Sequence, residues 1–159
     1  MAVVLAISVG TRNVGLAVMK QRRLTDYRIR TFEGKWTRAK CDSIWDVVEL
    51  LMTRHRVDEL VYKIPDAKHC SENIKELVDG IKELGNWYNA STRELTLDEI
   101  RMQYADQEKG CTKEVMTAAL IHKYPQLGRK RSNSKQSKAY MAKLVEAIAC
   151  AELALKSGH

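Results

Sequence analysis

The chain opens with an almost unbroken apolar run, Val3-Val4-Leu5-Ala6-Ile7-Ser8-Val9, turns at Gly10-Thr11, and returns as Val14-Gly15-Leu16-Ala17-Val18. Two apolar runs joined by a short glycine-containing turn predict a buried strand and an adjacent antiparallel strand. Gly10 and Gly15 permit a backbone conformation or a close approach that a Cβ would hinder. After a basic turn at 20–23, Tyr27-Arg28-Ile29-Arg30-Thr31-Phe32 alternates polar and bulky side chains, as a half-exposed third strand would. Glu33-Gly34-Lys35 closes the meander.

The period then lengthens. Ile44, Val47, Val48, Leu51 and Met52 recur at helical spacing and predict a sheet-covering helix over about 39–55, with Trp45 at the edge of the stripe. Residues 57–65 form a fourth strand whose apolar centre suits a buried parallel neighbour of the first, and Pro65 ends it. A helix over about 71–84 carries Ile74, Leu77, Val78 and Ile81, followed by a turn-rich break at 85–89 and a short fifth strand at 93–95. Thr96-Leu97-Asp98-Glu99 matches a capping box and predicts a helix through about 104. Past a polar connector at 106–110, Thr112 caps a helix to about 123, with Val115, Ala118, Ala119 and His122 as its expected inner face, and Tyr124-Pro125 stops it. The final helix, about 140–155, places Met141, Leu144, Val145, Ile148 and Leu155 toward the sheet, beside a stripe of mostly small residues.

Length sets the scale: 159 residues suffice for one domain with a proper core. No apolar run approaches the roughly 20 residues that span a bilayer, and no export signal is visible, so the expected setting is the cytoplasm or a nucleoprotein particle. Cys41, Cys70, Cys111 and Cys150 are widely spaced with no C-x-x-C pair, which favours reduced thiols over a zinc site. Charge changes the picture more. A net charge of +7 and a pI near 9.3 favour a polyanionic partner. Much of that charge falls in 127–138, Leu-Gly-Arg-Lys-Arg-Ser-Asn-Ser-Lys-Gln-Ser-Lys, which lacks large apolar residues after Leu127. It predicts a mobile basic loop over 128–138, either a solvated linker or, as we favour, a phosphate-binding arm. Arg12, Arg129, Lys130, Arg131, Lys135 and Lys138 are the candidate nucleic-acid contacts.

The opening hairpin and the run Val145-Glu146-Ala147-Ile148-Ala149-Cys150-Ala151 resemble the RuvC-type Holliday junction resolvases of the ribonuclease H-like superfamily. The resemblance implies an α/β, ribonuclease H-like fold in a single domain over 1–159. Its five-stranded mixed sheet would have an antiparallel meander of the first three strands, then parallel fourth and fifth strands, flanked by helices. It also implies a two-metal nuclease site, in which several carboxylates hold hard cations that bind the scissile phosphate. Here the pattern breaks. The family's aspartate at the end of the first strand is Ser8, and alignment on Glu59-Leu60-Val61-Tyr62 puts Lys63 at its second acid. Lys143 and Glu146 stand at the two acid positions of the last helix.

A single carboxylate does not recruit two magnesium ions. The sequence suggests instead that the Lys63 ammonium replaces a cation and pairs with Glu146, with Ser8 hydrogen-bonding nearby. A fourth-strand register one residue away would bring Asp58, Glu59 or Asp66 forward, although it turns the strand's apolar face to the wrong side. Two functions follow. One is a catalytically degenerate domain, without cofactor, that binds branched or duplex DNA, or RNA, or serves as a structural or adaptor subunit of a nucleic-acid-handling assembly. The other is an active Mg2+-dependent endonuclease with displaced ligands. The resemblance adds a homodimer as an expectation. A phosphate-binding ATPase of the actin and sugar-kinase type shares such a hairpin but needs two such domains, more than this length supplies.

Overall fold

The computed structural model describes residues 2–10, 12–31, 36–65, 71–105, 108, 110, 112–130 and 135–157, with only the backbone at 128–130, 135–140 and 157. Five strands form one sheet: β1 (Val3–Ser8), β2 (Asn13–Lys20), β3 (Arg23–Thr31), β4 (Glu59–Lys63) and β5 (Ser91–Glu94). Their spatial order is β3-β2-β1-β4-β5, with β1, β2 and β3 antiparallel in sequence and β4 and β5 parallel to β1. This is the mixed α/β sheet expected of a ribonuclease H-like fold.

β1 lies at the centre and all its residues are buried, which is why it reads as a continuous apolar run rather than an alternating one. Strand alternation still divides it. Val3, Leu5, Ile7 and Val9 face one core, together with Leu60 and Tyr62 of β4, under α1 (Arg38–His55) and α2 (Glu72–Trp87). Val4 and Ala6 face the other core with Ala17, Met19 and Val61, under the last helix. Both Ser8 and Lys63 continue the second face by their period of two.

Three helices lie on that second side: α3 (Leu97–Met102), α4 (Lys113–Lys123) and α5 (Lys135–Ser157). α5 runs against the sheet, and Ile100 of α3 with Met116 and Leu120 of α4 covers its outer side. Its middle is therefore buried almost all round, and the Ala147, Ala149, Ala151 and Ala154 side chains let both neighbours approach. Gly15 of β2 sets the closest approach. A Cβ there would lie 2.2 Å from the Lys143 carbonyl oxygen, so α5 can rest on β2 only above a glycine.

Local signals place the ends. Thr37, Ser71, Thr96 and Thr112 each accept from the amide three residues on. In the predicted capping box the Glu99 carboxylate accepts from the Thr96 hydroxyl at 3.0 Å. The β2–β3 turn holds Gln21 and Arg22 at φ 53 and 64, the left-handed pair that suits a tight hairpin.

Three expectations change. The break at 85–89 comes later, because helical bonding continues to Tyr88 N–H donating to the Leu84 carbonyl at 3.0 Å. The inner face of α4 is Met116 and Leu120, while Ala118, Ala119 and His122 are exposed, since the α5 core takes the larger apolar side chains. The described parts of the basic segment 128–138 are helical rather than loop: a 3-10 turn covers Pro125–Lys130 and α5 starts at Lys135, while 131–134 lie outside the described residues. Lys and Gln are good helix formers, and the buried part of α5 supplies the nucleus from which those turns propagate.

Candidate functional site

The site is where β1 and β4 end side by side beneath α5. The parallel register pairs Ser8 with Lys63, and the antiparallel register pairs Ser8 with Gly15. The Val9 N–H donates to the Lys63 carbonyl at 2.9 Å, holding the two strand ends together. Alternation turns Ser8 and Lys63 toward α5, and the gap above Gly15 brings the Lys143 turn of α5 down onto them. Glu146, one turn further along, then faces both strand ends.

Three donors converge on one oxygen. The Ser8 hydroxyl donates to Glu146 Oε2 at 2.6 Å, and the Lys63 and Lys143 ammonium groups each lie 3.2 Å from that atom. Ser8, Lys63 and Glu146 are buried. Burial alone would push the Glu146 carboxyl up. The charges of Lys143 and Lys63, with hydrogen bonds from Ser8 and Lys63, outweigh it and hold the group below the ordinary carboxylate range. Lys143 moves down: burial and the Lys63 charge disfavour its ammonium form more than Glu146 favours it.

This donor set does not fit a pair of divalent cations. Among the described residues no three His, Cys, Asp or Glu side chains gather to hold a metal ion. Two of the groups that converge on Glu146 are already cations. Nor does the cluster resemble an activated nucleophile: Ser8 is fully buried and its proton goes to a carboxylate held ionised.

The acids of the shifted register lie elsewhere. Asp58 accepts the Val3 N–H at 2.8 Å at the opposite end of β1, and Glu59 pairs with Arg93 at 3.2 Å. The observed pairing sets Lys63, rather than Asp58 or Glu59, beside Ser8, while Asp66 lies outside the described residues. Of the basic candidates, Arg12 is exposed in the β1–β2 turn. Arg129 and Lys130 end the 3-10 turn, and Lys135 and Lys138 lie in the first turns of α5, ahead of Lys143 on the same helix. Arg131 lies outside the described residues. Cys41 and Cys150 are free and buried, and Cys70 and Cys111 lie outside the described residues.

The sequence gives little warning of a second buried carboxylate, Glu152. Its Oε1 accepts from the Tyr104 hydroxyl and its Oε2 from the Tyr124 hydroxyl at 2.7 Å, while the Lys123 ammonium closes an ion pair. Burial opposes ionisation of Glu152, but these donors together hold it below its ordinary range. Both tyrosines are pushed up, first by burial and then by the hydrogen bond to Glu152. The cluster ties α4 and the residues after α3 to α5. Its one sequence signal is a glutamate within an alanine-rich buried stripe.

No family model matches the chain, and no curated protein matches it. Solved structures do. A structure of Thermus thermophilus RuvC superimposes with a TM-score of 0.71 at 13% identity, covering 98% of this chain and 96% of that one. T. thermophilus RuvC in complex with Holliday junction substrate gives a TM-score of 0.68 at 12% identity, covering 99% and 97%. The chain therefore has the RuvC-like, ribonuclease H-like fold over 98–99% of its length.

Proposed function

We propose that this chain is a catalytically degenerate resolvase-like domain that handles nucleic acid by binding it. The observation that carries this reading is the convergence of two lysine ammonium groups and a serine hydroxyl on Glu146, the one carboxylate of the cluster among the described residues. Two-metal phosphodiester cleavage needs several carboxylates around hard cations, and an ion cluster that supplies its own cations leaves them no place. The net charge of +7 supports a polyanionic partner. One of the neighbours of like fold is a complex with Holliday junction substrate, which makes branched DNA the first partner to try. The same features suit a structural or adaptor subunit within a nucleoprotein assembly.

The test combines cleavage and binding. Purified protein meets four-way, forked and linear duplex DNA, with and without Mg2+ or Mn2+, across a salt titration. The expected result is salt-sensitive binding without nicking. Metal-dependent nicking abolished by Glu146→Gln would overturn the degenerate reading, and nicking that survives this change would place the carboxylates elsewhere. Absence of both binding and nicking would leave the adaptor role.

A further inference from the structure

We infer that the Lys143 ammonium is a resident anchor for one backbone phosphate of the nucleic acid, doing without metal what a bound cation does in a metallonuclease. The inference rests on the proposed binding function and names the ligand chemistry at the same site.

Among the described residues the cluster holds two ammonium groups against one carboxylate, which leaves one positive charge beside Ser8. Accessibility decides which cation carries it outward. The Lys63 and Glu146 side chains are 6% and 9% exposed, whereas Lys143 is 21% exposed. Lys63 thus serves as the internal counter-ion, and Lys143 is the more exposed of the two cations.

Geometry holds Lys143 in place. Its stem crosses Gly10, where a Cβ would lie 2.6 Å from Lys143 Cε and 3.2 Å from Nζ. That glycine opens the channel through which the ammonium reaches the strand ends, and exposed Arg12 belongs to the same turn. Lys143 Nζ directs one of its three hydrogens at Glu146 Oε2, which leaves two to offer. Burial and the neighbouring Lys63 charge both press against its ionised form. A phosphate oxyanion on the solvent side relieves that pressure and receives a charge-assisted hydrogen bond.

The experiment measures affinity for a four-way DNA junction and for linear duplex, in EDTA and in Mg2+, over a salt series. Wild-type protein, Lys143→Gln and Lys143→Arg are compared, with thermal melts confirming that each variant is folded. The expected wild-type affinity is the same in EDTA and in Mg2+. Lys143→Gln weakens binding about tenfold at low salt and lowers the slope of log K against log salt by about one. Lys143→Arg keeps both. A Lys143→Gln protein that binds with unchanged affinity and slope overturns the anchor while the binding function stands. Affinity lost in EDTA overturns it too, because a metal then holds the phosphate. Wild-type protein that binds neither DNA removes the binding function and the anchor together. If Lys143→Gln does not fold, Lys143→Met is read in its place by the same two criteria.

Discussion

Replacing Glu146 with glutamine removes the charge at the centre of the site and keeps its shape. Each of the two ammonium nitrogens lies 3.2 Å from Glu146 Oε2. At an effective dielectric of about 20, each such pair contributes roughly 5 kcal/mol of gross attraction. Desolvation cancels much of that, so the informative quantity is the cost of leaving the buried Lys63 cation facing the half-buried Lys143 cation with no carboxylate between them. Removing one partner of a buried ion pair costs about 3–5 kcal/mol. For a domain of this size the expected fall in Tm is about 6–20 °C. The assay is denaturant unfolding of wild-type protein and Glu146→Gln from pH 7 downward. Because the folded carboxyl lies below its unfolded value of 4.5, its contribution is fully present above that value and is lost as pH falls through the folded one. The gap between the two proteins should therefore stay constant above about pH 4.5 and close below it. A gap under about 1 kcal/mol at pH 7 would refute the reasoning, since that is the scale of an exposed pair.

Other expectations follow from the same geometry. Gly15→Ala drives a methyl group to 2.2 Å from a backbone oxygen of α5 and should cost about 3 kcal/mol or more, read by urea denaturation. Tyr124→Phe removes one of the donors to Glu152 and should cost about 1–3 kcal/mol, with the loss shrinking at acid pH once that carboxylate protonates. The triple change Ser8→Asp, Lys63→Glu, Lys143→Asp gathers four carboxylates at the strand ends. If it folds, it should acquire a Tm that rises with added Mn2+, whereas the wild-type Tm stays flat.

The elements that position the site were legible because short-range rules govern them. The Gly-Thr hairpin fixed Ser8, a period of two sent Ser8 and Lys63 to one face, and the strand pairing that sets them side by side followed from the apolar pattern of β4. Glu146 was readable from the resemblance of the run Val145 to Ala151 to the ending of the resolvase helix. The rest depended on tertiary partners. The face of α4 is chosen by α5, which selects Met116 and Leu120 over the smaller residues. The start of α5 is drawn forward by a buried helix that nucleates the basic turns before it. Glu152 finds Tyr104, Lys123 and Tyr124 across separate helices and connectors, and no local spacing reports such a meeting. Lys143 was legible as a position, yet its closeness to Glu146 Oε2 depends on how deeply Gly15 lets the helix sink.

On the proposed reading, the cations at this site are the protein's own lysines. Mn2+ binding followed by electron paramagnetic resonance tests it most directly, on wild-type protein and on Glu146→Gln. Neither protein should show a site tighter than the millimolar range, and the two titrations should be identical. Tight binding of one or two Mn2+ ions to the wild type, lost in Glu146→Gln, would contradict that reading.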